Sequence, residues 1–247
     1  MRNSADALSL ATEAYNIVRQ RILRGELVLG QVISRRKLAG ELGMSFIPVS
    51  EALLRLEFEG LLESRPRAGT RVRIPSPDDV KGLYVVREAL EVQAAMLFAG
   101  AATTGERAEL RRLAARVDGL SMQPERAPYL TLHQKLHRRI AECTHCAPLC
   151  EAIEKTQALS TIWFGVMRQP SPNDSPTRHQ ELVEALLTGD PAAAADAVRQ
   201  HLAVGLQRAL DVLEPYFRLR KANGRTFYRG AKKITSARIA TGVETVN

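Results

Sequence analysis

The stretch from Arg36 to Glu57 constrains the fold of this chain more than any other. Leu38, Ala39 and Leu42 recur at helical spacing, and Gly43 follows where helices often end in a left-handed residue. Ser45 suits the cap of a next helix and Pro48 is tolerated in its first turn. Val49, Ala52, Leu53 and Leu56 then repeat every three or four residues. A helix, a glycine-containing turn and a second amphipathic helix make a helix-turn-helix, whose second helix can enter a DNA major groove. The same residues also suit an ordinary helical hairpin, and the flanking sequence separates the two readings.

Gly60, Leu61, Leu62 and Glu63 close the second helix. Arg65 to Arg73 then alternates arginine with small or β-branched residues, the pattern of a short basic hairpin, the wing of a winged helix. Upstream, Ala14, Ile17, Val18 and Ile22 predict an amphipathic helix over residues 12–24, and Ser34 is a candidate cap for the first helix of the pair. Residues 1–7 read as disordered. Residues 8–74 resemble the DNA-binding domain of the GntR family of bacterial transcription regulators. The matching pieces are Ile22 to Gly25, Leu38-Ala39, Leu42-Gly43, Pro48-Val49 with Glu51-Ala52-Leu53, Leu56-Glu57, Gly60-Leu61, and Gly69-Thr70 with Val72.

That resemblance implies DNA contacts from Arg35, Arg36, Ser45, Phe46, Pro48, Ser50, Arg65, Arg67, Gly69 and Thr70. The sequence departs from the family at two of these. Most relatives carry arginine at the positions of Phe46 and Ser50, where a guanidinium would meet base edges or phosphates. Phe46 offers only apolar contact, for example to a thymine methyl, and Ser50 one short hydrogen bond. DNA binding is therefore expected, with an operator different from the family's usual one.

At Ile74-Pro75-Ser76-Pro77 the prolines disfavour helix, and Ser76 or Asp78 is placed to cap the next one. From Val80 to about Glu214 the pattern is helical almost throughout. Leu83, Val86, Leu90, Ala94 and Leu97 form one predicted apolar stripe; Leu110, Leu113, Val117 and Leu120 form another. Six or so helices with short connections imply a bundle. It resembles the FCD ligand-sensing domain of one large GntR branch, through Arg87 to Glu91, Leu136-His137, His179, Leu182 to Leu186, Gly189-Asp190 and Ala194 to His201. The expected fold is mainly α: a winged helix-turn-helix over 8–74, a helical bundle over 78–214, and a basic tail over 216–247 that reads as disordered.

Charge supports the first unit modestly. The net +8 divides into +4 over residues 1–75, −3 over 76–215 and +7 over 216–247. Only the first block bears on groove binding directly. No run of apolar residues approaches the roughly 18 of a membrane span, and no apolar signal core opens the chain, so a cytoplasmic location is expected. Cys143, Cys146 and Cys150 are an odd number, which argues against a disulfide framework.

Four of the five histidines fall where the FCD resemblance places metal ligands: His133, His137, His179 and His201. His133 and His137 are one helical turn apart on one face. The family's first position is usually Asp, so His133 replaces a carboxylate by an imidazole. That favours Zn²⁺, Ni²⁺ or Cu²⁺, Zn or Ni before the others, and leaves the ion's charge open to an anionic ligand. The alternative is that His133 is a surface residue and only three histidines converge. His145 lies near the cysteines, but the spacing lacks a distant CxxC pair, so no structural zinc site is expected there. Arg87 suits a bidentate grip on a carboxylate, or a salt bridge to Glu91 four residues on.

These features together predict a ligand-responsive transcription regulator and not an enzyme. A homodimer would bind a palindromic double-stranded operator, since half-site symmetry mirrors protein symmetry, and sense a small organic acid through a divalent metal. The rivals are a metal-dependent hydrolase built on the four histidines, which lacks an HExxH motif, and a regulator whose metal site is vestigial.

Overall fold

The structure, a computed structural model, describes residues 4–65, 69–123, 126–165 and 175–223. The chain begins with helix α1 (Ser4–Leu23), which packs on α3, and continues through β1 (Val32–Ile33), α2 (Arg35–Leu42) and α3 (Phe46–Phe58). Strands β2 (Leu62–Arg65) and β3 (Gly69–Val72) follow, and the sheet is antiparallel in the order β1-β3-β2. Ser34 caps α2 by accepting from the Lys37 amide, and Gly43 ends it at φ 62°, where a side chain would be strained. Ser45 occupies the N-cap position of α3 without a side-chain cap bond, so its hydroxyl does not do the work expected of it. Val49, Ala52, Leu53 and Leu56 are buried, as their spacing requires.

Among the described residues six helices follow: α4 (Pro77–Ala101), α5 (Thr104–Gly119), α6 (Arg126–Glu142), α7 (Ala147–Gly165), α8 (Arg178–Leu187) and α9 (Pro191–Asn223). Ser76 starts α4 with a reciprocal capping box to Asp79, and Thr103 starts α5 in the same way with Glu106. The most extensive helix pairing is α4 on α9, while α5 packs on α8 and α6 on α7. Arg107 closes one end of the bundle by donating to the carbonyls of Ala99, Ala102 and Leu187, which terminal helical turns leave without partners.

Three expectations are corrected. The inward face of α4 is Val80, Tyr84, Arg87, Glu91, Ala95 and Phe98, whereas Val86 and Leu97 of the expected stripe are exposed. An ion pair inside the helix face disguises it as polar in the sequence. Residues 4–7, expected to be disordered, already belong to α1. Residues 216–223, assigned to the disordered tail, continue α9: Phe217 is buried, and Arg220 donates to the Ile74 carbonyl at 2.8 Å. Apolar contact and a satisfied carbonyl hold this last stretch to the junction between the two units. The remainder of the basic tail lies outside the described residues.

Candidate metal centre and nucleic-acid interface

His133 and His137 project from α6, His179 from the first turn of α8 and His201 from α9. Their ligand nitrogens all lie within 4.8 Å of one another. His137 Nε2 and His133 Nε2 are 3.2 Å apart. Two nitrogens, each about 2.1 Å from one tetrahedral zinc, stand roughly 3.4 Å apart, so this pair already has the spacing of a shared ion. His137, His179 and His201 are buried, and His133 is the least buried of the four. The reading of His133 as a surface residue is not what the geometry gives: its ring lies against both His137 and His179.

Asp118, at the end of α5, organises His179. Its carboxylate accepts from His179 Nδ1 at 2.6 Å and also from the backbone amides of His179 and Gln180. It therefore caps α8 and fixes the imidazole with its proton on Nδ1, since the partner is an ionised acceptor. His179 Nε2 is left buried without a hydrogen-bond partner among the described residues, facing the other rings. A buried, unpartnered imidazole nitrogen with a carboxylate behind it is the donor that a transition metal takes. Burial opposes the charged carboxyl of Asp118, but the hydrogen bonds from His179 and Gln180 prevail and hold it below the usual range.

Around the remaining rings, Glu91 approaches His137 Nδ1 at 3.9 Å and accepts from Arg87 Nε at 2.7 Å. Tyr129 stacks on His133 with ring centroids 5.5 Å apart. Arg178 donates to the His201 carbonyl at 2.8 Å. Burial first, then neighbouring imidazoles and the guanidinium groups of Arg87 and Arg178, push His133 and His137 well below the usual histidine range, and burial, then Arg178 and the other imidazoles, do the same for His201. Neutral imidazoles are the form a metal binds. Two carboxylates, Asp118 and Glu91, stand behind the imidazoles, but Glu91 is paired with the Arg87 guanidinium, so Asp118 is the carboxylate that acts on the histidines directly.

Both readings of Arg87 meet in one side chain. It forms the buried pair with Glu91, reaches Ser160 Oγ at 3.3 Å and lies over the Tyr84 ring. It also borders two small cavities beside the histidines, each of about 20 Å³. A space that size takes one water molecule and no organic acid. The family resemblance pointed to the four histidines and spacing to the His133–His137 pair, but neither marked Asp118, Glu91 or Tyr129 as part of this site. Asp118 lies 61 residues from His179, and nothing local marks it.

The expected DNA-contacting residues are divided by the fold. Arg36, Phe46 and Arg65 are exposed, as is Gly69, whose φ of +77° makes the wing turn. Ser45 is exposed beside them. Three others have buried side chains or side-chain atoms. Pro48 is buried with the apolar face of α3. Thr70 is buried, receiving a bond from Arg35 Nη2 at 3.1 Å, which places both in a structural contact between α2 and β3. The Ser50 hydroxyl is buried and has no hydrogen-bond partner among the described residues, so it does not face a groove in this conformation. Arg67 lies outside the described residues. The fold also exposes Ile47, which the sequence reading passed over.

The family model of the bacterial regulatory proteins, gntR family, matches residues 10–72, and that of the FCD domain matches residues 82–204. A protein of Paenarthrobacter nicotinovorans, named a probable D-xylose utilization operon transcriptional repressor, is 29% identical over 202 residues, covering 80% of this chain and 88% of that one. The HTH-type transcriptional repressor RspR of Escherichia coli strain K12 is 23% identical over 192 residues, covering 77% and 84%. Among solved structures, a GntR transcriptional regulator from Rhodococcus sp. RHA1 superposes with a TM-score of 0.70 at 23% identity, covering 82% of this chain and 98% of that one. E. coli McbR/YncC gives 0.64 at 22% identity, covering 84% and 98%. These two likenesses establish the fold.

Proposed function

Because the chain belongs to the gntR family of bacterial regulatory proteins, in the branch that carries an FCD domain, we propose that it is a DNA-binding transcription regulator controlled through a divalent metal held in its helical bundle. The observation that carries this reading is the convergence of His133, His137, His179 and His201, with Asp118 fixing His179 so that its Nε2 is bare. Imidazole ligands with carboxylates behind them suit Zn²⁺ or Ni²⁺. The metal would supply a Lewis-acid point at which a small organic acid binds.

The acid has no room beside the histidines as they stand, since each cavity there takes about one water. Binding therefore requires the bundle to open locally, and that supplies the differential affinity between two arrangements without which no signal passes. Arg87 is already held by Glu91, so the acid would have to compete for that guanidinium. As in its relatives named repressors, the chain would occupy an operator and block transcription, as a homodimer on a palindromic site. A regulator acting on the chromosome would work in the cytoplasm. No described helix is long and apolar enough to cross a membrane. The hydrolase alternative is set aside, since both matched families are regulators.

Metal content and melting temperature measured on one preparation test this. Added Zn²⁺ or Ni²⁺ should raise the melting temperature at pH 7.5, because an ion bound to the folded state alone stabilises it by mass action. His137→Ala and His201→Ala should each abolish the rise while metal-free DNA binding remains measurable. No bound metal and no thermal shift would mean that the histidines only pack.

A further inference from the structure

The outward face of α3 lacks the chemistry of a guanine reader. Its only cation is Arg55, which pairs with Glu59 at 3.4 Å and lies over the Tyr15 ring at 3.9 Å. The Ser50 hydroxyl is turned inward and buried. What the helix presents at its first turn is Phe46, half exposed, and Ile47, 67% exposed. Leu54, half exposed, continues the Ile47 face two turns on. Exposed aromatic and branched side chains at the start of a helix are not maintained by packing, because they touch too little protein to gain from it.

We infer that Phe46 and Ile47 read thymine methyl groups in the major groove, making this regulator select T-containing steps where α3 enters the DNA. This rests on the DNA-binding reading of the helix-turn-helix and names the chemistry of its specificity. The first residues of a recognition helix are those that reach base edges. A thymine C5 methyl is the one apolar group that a base pair offers in the major groove, and apolar side chains are its complement. Phosphate contact then falls to the cations around α3. Arg36 is exposed and has no ion pair among the described residues, and Arg65 is exposed on β2. The apolar pair selects sequence while those cations hold the backbone.

The test is a comparison of one duplex with and without its thymine methyls. A preferred duplex is first selected from random DNA with the full-length protein. Affinity is then measured for that duplex and for the same duplex with deoxyuridine replacing thymidine, a change that removes the methyl and keeps every hydrogen-bonding group. The selected motif should place T in each half-site, and deoxyuridine should weaken binding about fourfold for each methyl contacted. Phe46→Ala and Ile47→Ala, at exposed positions where melting temperature should not change, should each bring the two duplexes closer in affinity. Equal affinity of the wild type for both duplexes would overturn methyl readout while leaving sequence-specific DNA binding in place. A protein that selects no duplex at all would overturn both. If either substitution instead changes the oligomeric state and leaves the ratio between duplexes untouched, the face is a protein contact and the inference fails.

Discussion

Asp118 Oδ1 lies 2.6 Å from His179 Nδ1, and the same carboxylate accepts the backbone amides that open α8. One side chain thus ends the orphaned amides of a helix and sets the orientation of a candidate metal ligand. The two duties are separable by substitution.

Asp118→Asn keeps an oxygen that can accept from the α8 amides but removes the charge that holds the His179 proton on Nδ1. The expected result is a loss of about 10–100-fold in Zn²⁺ affinity, measured by competition with a chelator, with a much smaller change in the melting temperature of the metal-free protein. Equal metal affinity in the two proteins would show that His179 does not depend on Asp118 for its donor nitrogen.

Arg220 connects the last turns of α9 to the segment between the winged helix and the bundle. Its Nη1 donates to the Ile74 carbonyl at 2.8 Å and reaches Asp79 Oδ2 at 3.3 Å, and Arg73 approaches the other oxygen of Asp79 at 2.8 Å. Because these groups are partly exposed, Arg220→Ala should cost only about 0.5–1.5 kcal/mol in urea denaturation. Hydrogen exchange should rise locally at residues 74–79. Unchanged exchange there would mean that α9 does not hold the junction.

Asp79 gives that junction a pH dependence. Burial opposes its charge, but bonds from Ser76 and the positive charges of Arg73 and Arg220 outweigh burial, and its carboxyl sits below the usual range. A carboxyl lowered in the folded state contributes stability that is complete above its unfolded value, about 3.9, and is lost as pH falls through the folded value. Stability should therefore decline on the acid side below about pH 4, and Asp79→Asn should flatten that part of the curve. An Asp79→Asn curve parallel to wild type through this window would remove Asp79 from the cause.

Operator binding should weaken steeply with salt, as counterions released from phosphates are recaptured. Arg36, exposed and unengaged within the described chain, discriminates two modes of contact. If it reads a base, Arg36→Ala should cost about 1–3 kcal/mol and relax one position of the motif; if it meets a phosphate, the loss should be uniform across sequences and the salt slope should fall by about one. No change in either measurement would place Arg36 off the DNA.

Local chemistry made the helix-turn-helix legible. The αL glycine at Gly43 and the buried spacing of Val49, Ala52, Leu53 and Leu56 are set by neighbours within a few residues. The same holds for the i, i+4 pair His133 and His137, which one helical turn brings to 3.2 Å. By itself the sequence therefore determined where the helices and the wing begin, and which imidazoles share a face. Only the tertiary structure decided what lies across from them. Asp118 reaches His179 from another helix, and the Arg87–Glu91 pair turns a polar face of α4 inward. Arg35 engages Thr70, while Arg220 reaches back to Ile74. None of these partners is near in sequence except the Arg87–Glu91 pair, and there spacing alone permits an exposed pair as readily as a buried one. Burial and long-range pairing depend on which surfaces the packed helices bring together, and residue type and spacing do not encode that locally.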